Sequence, residues 1–131
     1  MKDGRTVLEA KRYGLTSCRR DTPLREVARK MVDRDINTLV VLNAGDGLEG
    51  IITRADLLQA YVHYAAWKQR LAEQHMTSDV LTVPTDMHLT DVPKLLVDRH
   101  VHQVVVVDAR TDRPVALLSA ADLVYHMLKE N

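Results

Sequence analysis

At 131 residues, with 46% apolar and 27% charged residues and zero formal charge, the chain can build one compact domain, or two half-sized units sharing a core, and is not a disordered tail. No apolar run approaches the roughly 20 residues of a membrane span, and the start MKDGRTV lacks the apolar region of a secretory signal, so a soluble cytoplasmic protein is expected. The single Cys18 excludes an internal disulfide, no Cys/His spacing resembles a zinc site, and 4% aromatics without Phe argue against a stacking platform for nucleic acid.

The charge is unevenly placed. Residues 1–34 hold ten Lys/Arg against five Asp/Glu, and residues 35–131 hold eight against thirteen. Lys11, Arg12, Arg19 and Arg20 are candidates for holding an anion, whereas Arg25, Arg29 and Lys30 read as the solvated face of a helix. That helix is marked by Leu24, Val27, Ala28, Met31 and Val32 at i, i+3, i+4, i+7 and i+8, with Thr22 as its cap and Pro23 at its first position. LVVL (39–42), the turn NAGDG (43–47) and LEGII (48–52) then read as two strands of a hairpin.

From Ala55 to about His75 the pattern predicts one helix of about 20 residues. Leu57, Leu58, Tyr61, Val62, Ala65, Leu71 and Ala72 form a wide apolar stripe along it. Its aromatics, Tyr61, Tyr64 and Trp67, suit either internal packing or a subunit interface. The series then repeats: LTV (81–83), a helix around Leu89 to Arg99, VVVV (104–107), the turn ARTDR, and VALL (115–118). Pro93 stands where the first copy has Ala28 and forces a late helix start near Thr90 or a kink. Asp56 maps onto Asp122 at an offset of 66 and Arg34 onto Arg99 at 65, so one residue is inserted in the turn between. Each copy is β-α-β-β-α, giving an α+β fold whose unbroken apolar strands suit sheets covered on both faces.

Both copies end a strand with a hydroxyl residue followed three positions later by an aspartate: GIITRADL (50–57) and ALLSAADL (116–123). This order suits a capping box, in which the hydroxyl and the carboxylate satisfy amides of the new helix. On the residues alone capping outweighs the other reading, a ligand site.

Over about residues 7–128 the sequence resembles a tandem pair of CBS domains, the module named after cystathionine β-synthase. The resemblance rests on GIITRADL, on ALLSAADL with Ala116 in place of Gly, and on MTSDVLTVPTD (76–86) as a repeat opening. It implies a first repeat at 7–60, a linking helix continuing through 61–75 and a second repeat at 76–128, packed with pseudo-two-fold symmetry. It also implies clefts between the repeats that bind AMP, ADP, ATP or S-adenosylmethionine as regulatory ligands. Asp56 and Asp122 would hold ribose hydroxyls, Thr53 and Ser119 would contact phosphate, and the adenine would rest near Thr16 and Ile36, or near Leu81 and Val101. Val40 and Val105 stand where the family often has Pro, and AKRYGLTSC lacks the Met-Thr of the second opening. Arg54 supplies a cation beside one site where Ala120 supplies none, so the two clefts should differ.

No Gly-rich phosphate loop, HExxH or nucleophile–base pattern occurs, and His100 with His102 makes a poor metal site. The expectation is therefore a non-catalytic, energy-sensing regulatory module without a catalytic cofactor or metal. It would be a homodimer through the long helix and the Leu123, Val124, Met127, Leu128 stripe, would act on a regulated protein, and would neither bind nucleic acid nor insert into membranes. The alternative is a dimerisation or protein-interaction module in which the repeated motif only caps helices.

Overall fold

The computed structural model describes residues 4–10 and 15–129. The chain begins with one helical turn, α1 (Val7–Ala10), followed by β1 (Ser17–Arg19), α2 (Leu24–Arg34), β2 (Thr38–Leu42), β3 (Leu48–Thr53) and α3 (Arg54–His63). A 3-10 turn (Trp67–Gln69) and α4 (Ala72–His75) come next. Then follow β4 (Thr82–Pro84), a second 3-10 turn (Leu89–Asp91), α5 (Val92–Arg99), β5 (Gln103–Val107), β6 (Pro114–Ser119) and α6 (Ala120–Leu128).

These elements form two compact α+β units, residues 16–80 and the described residues of 1–15 and 81–131. In the first, β2 lies at the centre of a three-stranded sheet, parallel to β1 and antiparallel to β3. The second repeats this arrangement with β4, β5 and β6. Both central strands are almost wholly buried, which explains their unbroken apolar sequences. Register shifts fall at Val41/Leu42 and at Val106/Val107. The following turns place Asp46 and Asp112 at φ 66° and 60°, a conformation Asp tolerates better than most side chains. One core gathers Leu24, Val27, Met31, Leu39, Val41 and Ile52, and the other gathers Leu89, Val92, Leu96, Val104, Val106 and Leu118.

A short segment closes each core, and the sequence pattern does not announce either one. In the first unit Leu71 bridges to Pro23, and the amide of Leu24 donates to the carbonyl of Arg70 at 2.8 Å. In the second unit the equivalent segment is the start of the chain: Thr6 bridges to His88, and the amide of Leu89 donates to the carbonyl of Arg5 at 2.8 Å. Val7 is fully buried among the side chains of residues 83–123.

The single long helix expected over Ala55–His75 is therefore wrong. The helix stops at His63, Tyr64 takes an extended conformation, and only separate turns follow. A straight helix would carry Leu71 about 12 Å beyond His63 and forfeit its pairing with Pro23. Tertiary hydrogen bonds override the helix propensity of Tyr64–Arg70. The expected stripe also divides, with Ala72 buried while Leu58, Tyr61 and Val62 are exposed.

Two smaller expectations fail for local reasons. Thr22 does not cap α2; its hydroxyl accepts from the amide of Arg19 at 2.9 Å, and Pro23 occupies the cap position. Val32 is 77% exposed, so α2 buries only Leu24, Val27 and Met31. Pro93 acts as expected: α5 starts late, at Val92, and the proline lies in its first turn, where its missing N–H costs no helical bond.

Candidate functional site

Each repeated motif lies where the last strand of its sheet becomes a helix. Thr53 keeps an extended backbone while Arg54 enters α3, so the first helical amides are without intrahelical acceptors. Thr53 Oγ1 accepts from the Asp56 amide at 3.3 Å, and Asp56 Oδ2 accepts from the Thr53 amide at 2.8 Å and from its hydroxyl at 3.0 Å. Ser119 and Asp122 reproduce this arrangement with distances of 3.2, 3.0 and 3.1 Å. Both motifs are complete capping boxes.

Capping does not exhaust the first of these carboxylates. All its hydrogen bonds within the box go to Oδ2, and Asp56 Oδ1 accepts none among the described residues. The Thr53 hydroxyl, by contrast, already gives its proton to Asp56, so it can face a phosphate oxygen as a donor only by rotating away.

Strand direction brings the other expected residues to the same end of each sheet. Thr16 precedes β1, Ile36 precedes β2, and Thr53 ends the antiparallel β3. The amide of Val40 donates to the Thr16 carbonyl at 3.0 Å, and the amide of Arg54 to the Asn37 carbonyl at 3.0 Å. In the second unit Leu81, Val101 and Ser119 are placed likewise, with Val105 donating to Leu81 at 3.0 Å and Ala120 to His102 at 2.8 Å. Thr16, Ile36, Leu81 and Val101 are all partly exposed.

Charge distinguishes the two sheet ends. Arg54 is half exposed and meets the nearly bare Asp35 at 3.4 Å, a contact that holds it weakly. Its counterpart Ala120 has no charge, and beside it stand the exposed His100 and His102. Two cations read as solvated or left unassigned in the sequence also reach the first sheet end. Lys30 Nζ donates to the Ser17 carbonyl at 2.9 Å, and Arg34 donates to Thr16 Oγ1 at 3.3 Å. Their helical spacing hid this, because β1 runs beside the C-terminal half of α2 only in the folded unit.

Arg19 and Arg20 spend their charge within the unit, on Asp46 at 2.7 Å and Glu73 at 3.1 Å. Lys11 and Arg12 lie outside the described residues. Cys18 is buried, and burial pushes its thiol up to about 11, with Lys30 opposing only in part, so it is a packing residue rather than a nucleophile. Among the described residues no cluster of three or more His, Cys, Asp or Glu could hold a metal, and no helix is long and apolar enough to cross a membrane.

A group that sequence reasoning missed is the cluster of Tyr64, Arg70 and His75. Arg70 lies 3.8 Å from the Tyr64 ring centroid and donates from Nε to His75 Nε2 at 3.0 Å. Burial, then the Arg70 charge, lower the pKa of His75 from its ordinary 6.5, while the Asp56 carboxylate acts in the opposite sense. Nothing in the sequence marks this cluster, because it exists only where the expected helix breaks.

A family model of the CBS domain matches residues 10–63 and 72–129. An uncharacterized protein of Methanopyrus kandleri is 33% identical over 84 residues, which are 63% of this chain and 43% of that protein, so the chain spans under half of its length. Among solved structures, the fold resembles the CBS domain pair of protein MJ0100 in complex with 5′-methylthioadenosine and S-adenosyl-L-methionine, with TM-score 0.83, 21% identity and coverage of 97% and 98% of the two chains. It also resembles CBSX2 in complex with AMP, with TM-score 0.81, 21% identity and coverage of 96% and 98%. A third is the CBS-domain containing protein ATU1752 from Agrobacterium tumefaciens, with TM-score 0.79, 20% identity and coverage of 93% and 92%. At these identities the solved structures speak for the fold.

Proposed function

Because the chain belongs to the CBS domain family, as a tandem pair, we propose that it is a non-catalytic regulatory module that binds an adenosine-containing ligand. The ligand class is AMP, ADP, ATP or S-adenosylmethionine, held at the strand-to-helix motifs. The observation that carries this reading is Asp56: one carboxylate oxygen completes the capping box while the other is left to accept from a ribose hydroxyl. Two similar structures, one in complex with AMP and the other with 5′-methylthioadenosine and S-adenosyl-L-methionine, support the adenosine class.

In this reading Arg54 adds a cation for a phosphate, Ile36 and Val101 offer apolar edges to a base, and Thr16 and Leu81 stand beside them. The site around Ser119 and Asp122, without a counterpart of Arg54, suits a ligand of lower negative charge. A ligand that binds one arrangement of the protein better than another shifts the population by its differential affinity, and a partner surface reads the shift. Each unit offers an apolar helix face to such a partner: Leu58, Tyr61 and Val62 on α3 in one, and Val124, Met127 and Leu128 on α6 in the other, are all more than half exposed. We assign these faces to a cytoplasmic homodimer and to the regulated protein.

Thermal unfolding of the purified protein with AMP, ADP, ATP and S-adenosylmethionine, alongside GTP as control, tests the function. Stabilisation by at least one adenosine compound and not by GTP is expected. If none stabilises, and denatured protein releases no nucleotide detectable by absorbance and mass spectrometry, the function is the alternative favoured by the two complete capping boxes, a dimerisation or protein-interaction module.

A further inference from the structure

The two sheet ends differ in the edge they offer at the entrances of β1 and β4. Lys30 and Arg34 stand one turn apart on α2 and so share a face of that helix. Lys30 Nζ donates to the Ser17 carbonyl at 2.9 Å, and Arg34 Nη1 donates to Thr16 Oγ1 at 3.3 Å. Neither cation makes an ion pair among the described residues, whereas Arg19, Arg20 and Arg54 each meet a carboxylate.

A hydroxyl has one proton to give and two lone pairs to accept with. Arg34 occupies a lone pair of Thr16 Oγ1, and the Thr16 proton goes to no acceptor among the described residues. A guanidinium that donates to a hydroxyl polarises it toward donation, and the hydroxyl proton turns away from the positive charge. The nearby carbonyls are engaged, that of Thr16 by the Val40 amide at 3.0 Å and that of Ser17 by Lys30. The partly exposed edge at Thr16 is thus a donor edge.

The second unit offers no such donor. Leu81 stands where Thr16 stands, since its carbonyl accepts from Val105 as that of Thr16 accepts from Val40. The offset of 65 residues sets Leu95 in place of Lys30 and Arg99 in place of Arg34. Leu81 and Leu95 pack on the apolar core, and the Arg99 side chain makes no hydrogen bond among the described residues.

We infer that Thr16, held as a donor by Arg34, reads a hydrogen-bond acceptor on the base of the ligand in the first unit, while the site beside Leu81 takes a base by shape alone. The inference rests on the proposed binding of an adenosine compound and adds which atoms of it are read. Thr16 is the specificity-determining residue, and Arg34 is a positioning residue that acts through it. Adenine carries acceptors at its ring nitrogens. An apolar edge hardly distinguishes such a nitrogen from a C–H of the same shape, whereas a donor set against a C–H loses its partner. One chain therefore holds a discriminating site and a permissive one.

The test is an amide-resolved NMR titration of the whole chain with adenosine, the part common to every candidate ligand, and with 1-deaza-, 3-deaza- and 7-deazaadenosine, each of which replaces one ring nitrogen by C–H. Amides 16–18 and 36–37 report the first unit, and amides 81–83 and 101–102 the second. One analogue should bind the first unit about fivefold more weakly than adenosine, and all four compounds should bind the second alike. Thr16→Val should weaken adenosine in the first unit by the same factor and leave that analogue unchanged, closing the gap, and Thr16→Ser should keep it open. Arg34→Met should narrow the gap and Arg34→Lys should preserve most of it. A role confined to tying α2 to β1 would change adenosine and analogue equally. Three analogues that bind the first unit as adenosine does, or a gap that persists in Thr16→Val, overturn the inference and leave the proposed function standing. Adenosine shifts that do not saturate in the first unit also overturn it, and titration with ATP and S-adenosylmethionine then decides whether the proposed function falls with it.

Discussion

Val7 and Ala72 occupy equivalent places in the two units. The amide of Val7 donates to the carbonyl of Met87 and that of Ala72 to the carbonyl of Thr22, both at 2.9 Å, and both side chains are fully buried. Donors and acceptors alike are 65 residues apart, so the repeat includes a short segment that pattern reading leaves out. Val7 therefore contributes to the stability of the unit containing residues 81–129. Val7→Ala should cost on the order of 2 kcal/mol, from lost burial plus the cavity left behind. Hydrogen exchange should show the faster opening in β5 and β6 rather than in β2 and β3. A uniform loss across both sheets, or none, would refute the assignment.

The parts of the fold that are legible in the sequence are those whose signal is local. Strands β2, β3, β5 and β6, the hairpin turns and both boxes follow from short apolar runs, turn residues and a fixed Thr/Ser-x-x-Asp spacing. The segments RTVLEA (5–10) and RLAEQH (70–75) share only their first residue, and each is a four-residue helical turn held by long-range bonds. The break after His63 is equally invisible, because Tyr64–Arg70 would be content in a helix. In the candidate site, Thr53, Asp56, Ser119 and Asp122 were readable from spacing. Lys30, Arg34 and His75 reach the same region only through tertiary structure.

Gly50 is required by a backbone approach. A Cβ built there would sit 2.5 Å from the Thr77 carbonyl oxygen and 3.0 Å from Met76 Sδ. The methionine can move, but Thr77 and Ile51 exchange backbone hydrogen bonds of 3.0 and 2.8 Å. Gly50→Ala should therefore cost about 1–3 kcal/mol in denaturant unfolding, the usual range for overpacking. Ala116, its buried counterpart, should tolerate Gly at a cost of only about 0.5–1 kcal/mol. Equal effects at the two positions would contradict this account.

His75 should make the stability of the first unit depend on pH. Its folded-state pKa lies below the ordinary 6.5, chiefly through burial and then through Arg70. The unfolded chain therefore takes up the proton first as pH falls. The stabilising contribution is complete above pH 6.5 and is lost as pH drops below it toward the folded-state value. Protonation also removes the acceptor for Arg70 Nε and sets two cations together. Urea midpoints for wild type and His75→Gln between mildly acidic and neutral pH should converge toward the acid end. A constant difference across that range would show that His75 does not titrate in this way.

Arg54→Ala should separate phosphate recognition from packing. The side chain is half exposed and its bond to Asp35 is long, so unliganded stability should change by no more than about 0.5 kcal/mol. Binding of ATP or AMP should weaken more than binding of adenosine, and the difference should shrink as salt rises. Equal losses for adenosine and for ATP would assign Arg54 a role other than holding phosphate.

Asp56→Asn and Asp122→Asn separate ribose recognition from capping. In both boxes the carboxylate accepts at Oδ2 from the amide of the cap residue, a role that the Asn carbonyl can keep. If capping is their whole function, each variant should melt close to wild type and bind as wild type does. If they hold ribose, the substituted amide replaces an acceptor with a donor facing a hydroxyl, and binding should weaken by on the order of 1–3 kcal/mol. Thermal stabilisation reads the difference directly, because a ligand at 100 times its dissociation constant adds about 2.7 kcal/mol to the folded state. We expect Asp56→Asn, whose Oδ1 accepts no hydrogen bond among the described residues, to lose most of that stabilisation with its unliganded melting temperature nearly unchanged. Undiminished adenine-nucleotide binding in both single variants and in the double variant would leave the two motifs as helix caps alone.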